Sequence, residues 1–413
     1  MEVLRLATAG SVDDGKSTLI GRLLLESKAI LDDQWEAVER ASRDAGNDHV
    51  NLALLTDGLR AEREQGITID VAYRYFATPR RKFVIADTPG HVQYTRNMVT
   101  GASTANVMIV LVDARKGMTD QSHRHAFLAS LLRVPHLVVA VNKMDLVDHE
   151  QKIYDQIHRD FARFAAKLDL TDLTTIPLCA VHGDNITRRS ENMPWYDGPS
   201  LLHYLENVQL ARDRNLIDVR FPVQYVIRPQ SAAFPDYRGY AGKVAGGVLR
   251  PGDEVVVLPR RLSTRIASIE TGDGSVAEAF PPMSVTIRLD DELDVSRGDM
   301  ICRPHNAPTV TQDVDAMVAW MADAPLRPGR KLMLKHTTRT VRTVVKDLQY
   351  RFDMNTLHRV DNACGLGIND VGRVRLRTTQ PVFSDPYQRN RSTGGFILVD
   401  ESTNQTVGAG MVN

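Results

Sequence analysis

The chain has 413 residues, more than one hydrophobic core usually organises, so its length favours about two or three domains. Hydrophobic residues make up 43% and charged residues 25%, as in ordinary soluble proteins, and no apolar run approaches the roughly 18 residues of a membrane span. Lysine plus arginine and aspartate plus glutamate both number 51, so no overall charge draws the molecule onto nucleic acid. We therefore expect no membrane partner and no direct nucleic-acid partner.

The start of the chain and its cysteines suggest the compartment. The opening MEVLRLATAG reads directly as a strand, without the basic stretch and cleavage site of a signal peptide, which favours the cytoplasm. Cys179, Cys302 and Cys364 stand far apart and form neither a disulfide ladder nor a CxxC metal pair. We expect all three to be buried thiols.

The first half of the chain alternates short apolar runs with helical patterns. Runs such as VLRLATA, KFVIADT, NVMIVLVDA and HLVVAVNKMD are separated by patterns such as RHAFLASLLR. Strands that alternate with helices indicate a parallel sheet covered on both faces. The sequence therefore predicts an α/β domain with a mostly parallel sheet over residues 1–212.

The second half consists of short strand-like segments separated by turn pairs such as Pro251-Gly252, Asp273-Gly274 and Arg297-Gly298. A polar, proline-containing stretch at residues 305–317 suits a linker. So many short strands pack naturally as two barrels of roughly 90 to 100 residues each. We predict two all-β barrel domains, over residues 218–308 and 312–413.

A phosphate-binding motif comes early in the chain. The stretch GSVDDGKST matches the pattern GxxxxGK[ST] between an apolar strand and an apolar helix. Its glycines let backbone N–H groups point inward, and the helix adds the positive end of its dipole, which together form a cage for phosphate. Lys16 would reach the β- and γ-phosphates, and the Ser17 hydroxyl would bind Mg²⁺. The expected nucleotide-binding residues of this loop are Gly10, Ser11, Val12, Asp13, Asp14, Gly15, Lys16, Ser17 and Thr18.

Two further motifs identify the nucleotide. In VIADTPGH, Asp87 ends an apolar strand, where a carboxylate can hold a Mg²⁺-bound water, and the N–H of Gly90 can approach a γ-phosphate. In VNKMD, Asp145 can accept hydrogen bonds from the N1–H and the 2-amino group of guanine, which adenine cannot match. Asn142 precedes it, and Lys143 can lay its stem over the base. The order of the motifs predicts GTP rather than ATP.

Two residues could complete a hydrolytic site. Thr68, in EREQGITID, offers a second hydroxyl for Mg²⁺ and the γ-phosphate, and the stretch between the first helix and Thr68 reads as polar and irregular, which suits a mobile lid. His91 follows Pro89-Gly90, where an imidazole could orient the attacking water. His123 and His125 lie two apart on a predicted helix and do not share a face, so we expect no metal pair there.

This ordered set of motifs resembles the translation-factor class of GTPases, of which elongation factor Tu is the familiar member. RGYAGKVAGGVLRPGDEVVVLP and VSRGDMIC look like the second-domain barrel of that class, so the resemblance covers essentially the whole chain. The phosphate loop, the lid LLTDGLRAEREQGITIDVAYRYF and the segment HVQYTRNMVTGAST are more similar to the large, GTP-hydrolysing subunit of the bacterial sulfate adenylyltransferase. Translation factors typically have a histidine at the position of Asp14 and a threonine at that of Ser17.

The resemblance implies a GTPase subunit that works with a smaller catalytic subunit. That partner makes adenosine 5'-phosphosulfate and pyrophosphate from ATP and sulfate, an uphill reaction to which GTP hydrolysis is coupled. The implied ligands are GTP or GDP and Mg²⁺. The implied metal-binding residues are Ser17, Thr68 and, through water, Asp87.

The resemblance also implies individual roles. Val12 and Ile67 would frame His91 as an apolar gate, and the segment Cys179-Ala180, where the family usually has Ser-Ala, would approach the guanine oxygen through the Ala180 N–H. The residues implied in catalysis are His91, Lys16, Thr68 and Gly90, and those implied in guanine binding are Asn142, Lys143, Asp145, Cys179 and Ala180.

Two other functions remain open at this point. A translation GTPase that delivers aminoacyl-tRNA would share the order of motifs, although the amino-acid sequences of the phosphate loop and the lid disfavour it. A nucleotide-binding regulator with negligible turnover is disfavoured by His91.

Overall fold

A computed structural model describes residues 3–30, 32–44, 50–55, 70–89, 95–168, 170, 172–210, 214–229, 236–353, 356 and 358–413. The chain divides into two compact units, Met1–Leu210 and Ala211–Asn413. Among the helices of these described ranges, none is long and apolar enough to cross a membrane.

The first unit is built on a mixed sheet. Its described strands are β1 (Val3–Ala9), β2 (Ala72–Ala77), β3 (Lys82–Asp87), β4 (Val107–Asp113), β5 (His136–Asn142) and β6 (Asp172–Pro177). They are arranged in the order β2-β3-β1-β4-β5-β6, with β2 antiparallel to β3 and every other pair parallel. The predicted mostly parallel sheet is confirmed.

Helices connect these strands. They are α1 (Lys16–Glu26), α2 (Asp32–Asp44), α3 (Thr95–Ala102), α4 (Asp120–Leu131), α5 (Gln151–Ala165) and α6 (Leu201–Asn207), with short 3₁₀ turns at Leu52–Leu55 and Met144–Val147. The expectation of an irregular stretch between α1 and Thr68 is wrong at α2. This helix is largely polar, but Val38 and Ser42, four residues apart on one face, are buried, so the helix packs through a narrow stripe.

The carboxyl ends of the central strands form one edge of the sheet. Every residue of β4 is buried, as expected for a parallel strand covered on both faces. In the register of the sheet, Asp113 at the end of β4 pairs with Asn142 at the end of β5, and Thr8 of β1 pairs with Asp87 of β3. This edge is where ligands usually bind in open α/β sheets.

The second unit begins with a ring of antiparallel strands. They are β7 (Arg220–Ile227), β8 (Gly239–Lys243), β9 (Glu254–Leu258), β10 (Leu262–Thr271), β11 (Gly274–Ser275), β12 (Ser284–Leu289) and β13 (Met300–Cys302). The described strands follow the order β11-β10-β12-β8-β7-β13-β9, and β9 also pairs with β10, which closes the ring. The predicted turns contain Gly252, Gly274 and Gly298, each at positive φ.

A second ring completes this unit. Its described strands are β14 (Thr309–Trp320), β15 (Lys331–His336), β16 (Arg339–Phe352), β17 (Arg359–Asp361), β18 (Val371–Ser384), β19 (Gly395–Val399) and β20 (Thr406–Val412), with the short helix α7 (Arg391–Gly394) before β19. They follow the order β15-β19-β20-β14-β18-β16-β17, and β15 also pairs with β16. Two barrel-like sheets after the α/β unit confirm the predicted fold class.

Two expectations about this unit are wrong. Most of the proposed linker at 305–317 belongs to β14, in which Val314 and every residue from Ala316 to Trp320 are buried, so this stretch is part of the core. Cys364 is exposed, whereas Cys179 and Cys302 are buried as expected. Cys364 lies in the loop between β17 and β18, outside the core-facing positions of either strand.

A buried ion pair joins the two rings of the second unit. Nη2 of Arg220, the first residue of β7, lies 2.8 Å from Oδ1 of Asp385, which directly follows β18, and both side chains are almost fully buried. Nε of Arg220 donates to Oδ2 of the same carboxylate at 2.8 Å, and Thr393 donates its hydroxyl to it at 2.6 Å. The bidentate pair and the extra donor satisfy this carboxylate away from water.

Candidate functional site

The phosphate loop takes a shape that its glycines make possible. Gly15 directly precedes α1 with φ of 93°, in the left-handed region that side chains disfavour. A Cβ atom at Gly15 would lie 2.4 Å from Nδ2 of Asn142, so no larger residue fits between the loop and β5. The loop therefore leads into the N-terminus of α1, whose first N–H groups favour an anion.

Lys16 lies inside this loop. Its ammonium group donates to the carbonyl oxygens of Gly10 at 3.0 Å and Ser11 at 3.2 Å. Burial lowers the pKa of Lys16, and the charges of Asp87 and Asp14 act in the opposite direction. A buried cation bonded to neutral carbonyls is poised to exchange them for phosphate oxygens, which would compensate its charge.

Asp14 also helps to shape the loop. Its Oδ2 accepts a hydrogen bond from the N–H of Ser11 at 2.6 Å, while its Oδ1 is buried without a hydrogen-bond partner in the described structure. Burial raises the pKa of Asp14, although the Ser11 bond and the charge of Lys16 oppose that rise. Asp13 and Val12 lie more openly on the same loop, with Asp13 at φ of 69°.

Oxygen donors surround the place where Mg²⁺ is expected. Asp87 is buried at the end of β3 and accepts a hydrogen bond from the hydroxyl of Thr8 at 3.3 Å. Thr88 donates to the carbonyl of Thr8 at 2.6 Å, which fixes the chain just after β3. Ser17 lies half-buried in the first turn of α1. A carboxylate and a hydroxyl are donors that suit a hard cation such as Mg²⁺.

Asn142 connects the phosphate loop to the segment after β6. Its Nδ2 donates to the carbonyl of Asp14 at 2.8 Å, and its Oδ1 accepts from the N–H of Ala180 at 3.0 Å. Both ends of the amide therefore bond to protein, and the N–H of Ala180 is already used. The expectations that Asn142 contacts guanine and that Ala180 meets its oxygen stay predictions.

Lys143 is held by an aspartate that the motif analysis missed. Its Nζ lies 2.9 Å from Oδ2 of Asp113 and also contacts the carbonyl of Asp13. Burial alone would raise the pKa of Asp113, but hydrogen bonds from Arg115 and Lys143 outweigh it and hold this pKa well below its usual range. The sequence could have indicated Asp113 through its position, because it is the last residue of an apolar strand, as Asp87 and Asn142 are.

Asp145 carries an oxygen that the described structure leaves unsatisfied. Its Oδ1 is buried without a hydrogen-bond partner, and Asp145 itself is the second residue of the short 3₁₀ turn that follows Lys143. A buried carboxylate oxygen without a donor costs about 1 to 3 kcal/mol, so the position favours a ligand with N–H groups. The N1–H and 2-amino groups of guanine have that chemistry.

Cys179 and its loop border the same carboxylate. Burial, and then the interaction with Asp145, raise the pKa of Cys179 to about 12. Gly183 donates its N–H to the carbonyl of Cys179 at 2.8 Å, which closes a tight turn. Arg22 of α1 donates from Nε to the carbonyl of Ala180 at 3.1 Å and contacts the carbonyl of Val181. The loop is therefore anchored to the helix that begins at the phosphate loop.

His125 of α4 is buried and neutral, and it lies close enough to Lys16 for the lysine charge to lower its pKa. Burial lowers the pKa of His125 to about 3, with Lys16 as the next cause. Its Nε2 lies 2.9 Å from Nε2 of Gln121, and its Nδ1 has no hydrogen-bond partner in the described parts of the chain. His123 instead packs edge-on against Phe164. The expectation that these two histidines form no metal pair stays a prediction.

Ile67, Thr68, Gly90 and His91 lie outside the described residues. The described structure thus brings together the phosphate loop, Asp87, the segment 142–145 and the segment 179–180 within the first unit.

Two family models match the chain at its two ends, and individual relatives match nearly all of it. Residues 1–220 match the family described as "Elongation factor Tu GTP binding domain", and residues 313–413 match "GTP-eEF1A C-terminal domain-like". The "Bifunctional enzyme CysN/CysC" of Mycobacterium tuberculosis (strain ATCC 25618 / H37Rv) is 64% identical over 411 residues, covering 99% of this chain and 67% of that protein.

Shorter relatives match as well. The "Sulfate adenylyltransferase subunit 1" of Bacteroides fragilis (strain YCH46) is 52% identical over 413 residues, covering 100% of this chain and 86% of that protein. The protein of the same name from Alteromonas mediterranea is 50% identical over 413 residues, covering 100% and 87%.

Proposed function

The chain belongs to the sulfate adenylyltransferase subunit 1 family, and we propose that it is the GTP-hydrolysing subunit of such an enzyme. It acts with a smaller catalytic subunit that forms adenosine 5'-phosphosulfate and pyrophosphate from ATP and sulfate, and GTP hydrolysis is coupled to that reaction. The level of identity, 64% and 52% to two differently organised relatives, supports this reading over the translation GTPase. An enzyme that serves sulfate activation is expected in the cytoplasm.

The unsatisfied Oδ1 of Asp145 carries the nucleotide part of the proposal. A carboxylate that accepts two N–H groups selects guanine, because adenine presents no donor at its N1 position. Lys143, whose ammonium group lies 2.9 Å from Asp113, would lay its aliphatic stem over the base. Guanine would then lie between a polar edge contact and an apolar stem, which orients the whole nucleotide toward the phosphate loop.

On the phosphate side, Lys16 exchanges its bonds to the carbonyls of Gly10 and Ser11 for bonds to the β- and γ-phosphates. Ser17 would hold Mg²⁺ through its hydroxyl, and Asp87 would hold it through a water molecule. Bound Mg²⁺ supplies positive charge that stabilises the phosphates. Thr18 and the N–H groups around Gly15 lie at the start of α1, where the helix dipole favours the same anion.

Hydrolysis further requires residues outside the described parts of the chain. By resemblance, Thr68 and Gly90 contact the γ-phosphate, and His91 orients the attacking water. Positioning of this kind accounts for most of the catalysis in phosphoryl transfer, since the protein contributes little covalent chemistry.

The experiment that tests this function is a GTPase assay with the purified chain, alone and with a sulfate adenylyltransferase small subunit, in the presence and absence of ATP and sulfate. We expect stimulation that needs the small subunit and its substrates, together with the appearance of adenosine 5'-phosphosulfate. A rate of GTP hydrolysis that is unchanged by the small subunit but is increased by ribosomes would instead support the translation GTPase.

Two variants control for contaminating hydrolases. Lys16→Ala removes the buried ammonium group and should abolish the stimulated hydrolysis. Lys152→Ala changes an exposed lysine of α5 and should leave it unchanged. Equal activity of both variants would assign the hydrolysis to another protein in the preparation.

A further inference from the structure

Three different potential metal ligands meet beside the proposed guanine position. A carboxylate oxygen of Asp145, the sulfur of Cys179 and a ring nitrogen of His182 all lie within 4.8 Å of one another. Cys179 is buried, Asp145 is partly buried and His182 is exposed. The cluster thus extends from the interior of the first unit to its surface, which gives an ion an entry path.

The backbone fixes these ligands before any ion binds. The turn from Cys179 to Gly183, closed by a hydrogen bond of 2.8 Å, brings His182 back toward the cysteine. Gly183 has φ of 91°, and a Cβ there would lie 2.6 Å from Oε1 of Glu26, so this turn depends on glycine. Ala180 anchors the same turn, because its N–H donates to Oδ1 of Asn142 and its carbonyl accepts from Nε of Arg22. Little reorganisation is needed to assemble the three donors.

The donor set selects a class of metal. One oxygen, one sulfur and one nitrogen are typical ligands of tetrahedral Zn²⁺, and three protein ligands leave the fourth position for water. Mg²⁺ prefers oxygen ligands in an octahedral arrangement, so the ion expected with GTP does not suit this cluster. The carboxylate of Asp145 has one oxygen, Oδ1, that accepts no hydrogen bond within the described structure, so this group retains capacity for a ligand.

We propose that Asp145, Cys179 and His182 form a binding site for a thiophilic divalent cation of the Zn²⁺ class, and that this ion and guanine exclude each other. On binding, the S–H bond of Cys179 breaks, a metal–sulfur bond forms and the proton passes to the buffer, with no change of oxidation state. The exclusion of guanine rests on the proposed function, because both ligands need the carboxylate of Asp145. The site would make nucleotide binding sensitive to free zinc.

Co²⁺ and Zn²⁺ added to the metal-free full chain test the site directly. We expect one Co²⁺ per chain, with a sulfur-to-cobalt charge-transfer absorption that Zn²⁺ abolishes. Cys179→Ser, which removes the sulfur ligand, should lose that absorption, and His182→Asn, which removes the nitrogen ligand, should weaken Zn²⁺ binding by more than about 10-fold. Cys364→Ser is the matched control and should behave like the native chain, because Cys364 is an exposed cysteine outside the cluster.

Competition with nucleotide tests the second half of the proposal. At a fixed free Zn²⁺ concentration set by a chelator, the apparent Kd of a fluorescent GDP should rise in the native chain and stay constant in Cys179→Ser. Metal binding that persists in Cys179→Ser, or an absence of Co²⁺ binding, would overturn the site. Simultaneous binding of metal and GDP would overturn the exclusion. GDP binding without added metal is measured separately, so failure of the nucleotide function is recognised independently.

Discussion

Asp113 at the end of β4 holds the ammonium group of Lys143 beyond the end of β5, with 2.9 Å between Oδ2 and Nζ. The aspartate is fully buried and the lysine is mostly buried. Arg115 donates to the same carboxylate from Nε at 3.0 Å and from Nη2 at 2.7 Å. Because Asp113 and Asn142 are paired in register, the geometry of adjacent strands places this contact beside the proposed guanine position.

Replacing Asp113 should weaken guanine binding without touching the nucleotide. In Asp113→Asn, Lys143 loses a charged partner and its stem becomes free to leave the base, so we expect the Kd for GDP to rise by about 10-fold, or about 1.4 kcal/mol. Titration with a fluorescent GDP measures this change. Arg115→Gln is the control, because Arg115 is about half exposed and its loss should change the Kd by less than about threefold. Equal effects of the two substitutions would contradict the positioning role.

Asp145 should determine which base is bound. Asp145→Asn replaces two acceptor contacts by an amide that donates one hydrogen bond, so GDP affinity should fall by at least about 100-fold. Xanthosine diphosphate, which carries a carbonyl where guanine has its amino group, should bind the variant more tightly than GDP does. Both are measured by competition against a fluorescent nucleotide. Asp148→Asn, an exposed position a few residues away, should preserve the preference for GDP.

The ion pair between Arg220 and Asp385 should matter for stability. Arg220→Met leaves a buried carboxylate without its cation, and we expect a loss of about 3 to 5 kcal/mol in the free energy of unfolding. The double variant Arg220→Met with Asp385→Leu should recover much of that loss, because it removes the uncompensated charge. Urea unfolding of the full chain provides the measurement. Arg260→Met breaks an exposed pair with Asp294 and should cost less than about 1 kcal/mol.

Asp218 should make the second unit sensitive to acid. Burial would raise its pKa, but hydrogen bonds from Arg389, Asn215 and Asn306 lower it to about 2. A carboxyl with a depressed pKa in the folded chain contributes stability above its unfolded pKa of about 3.9, and that contribution is lost as the pH falls through the folded value. Stability measured by urea titration should therefore decrease between about pH 4 and pH 2. Asp218→Asn should be less stable at neutral pH and show a flatter dependence in that interval.

The thiols should differ in reactivity. Cys364 is exposed, whereas Cys179 and Cys302 are buried, and burial raises the pKa of Cys302 to about 11. Because the thiolate is the reactive form, a disulfide reagent at pH 8 should label one of the three cysteines rapidly in the folded chain and all three in denaturant. Loss of the rapid reaction in Cys364→Ser identifies the site. Rapid labelling of two residues would show that one buried region opens readily.

Local patterns in the sequence were sufficient to predict those parts of the fold and site that depend on residues close together in the chain. Gly10 to Ser17 could be recognised because the phosphate loop must join a strand to a helix, and both flank it in the fold. The alternating strands of the second unit likewise follow from period-two burial. The prediction of a linker was wrong because the segment before and at the start of β14 is polar and contains proline. The buried residues of this strand begin only at Val314.

Local patterns could not predict contacts between residues that are distant in the chain, because such contacts depend on the order of strands in the sheet. Asp113 and Lys143 are 30 positions apart, and only the adjacency of β4 and β5 brings them together. The clustering of Asp145, Cys179 and His182 similarly requires the turn at Gly183 and its anchors on α1. The helix α2 was missed because its apolar stripe is too narrow to dominate a largely polar sequence.

The closure of the two rings in the second unit has a consequence for self-association. Closed rings leave few unpaired backbone groups along their strands, and only the short β11 and β17 extend beyond them among the described strands. Among the strands described in the first unit, β2 and β6 stand at the edges of the sheet, and β2 carries the exposed side chains of Tyr73 and Tyr75. When the chain is partly unfolded or concentrated, intermolecular strand pairing should therefore start at β2, and Tyr75→Lys is the substitution that should discourage it.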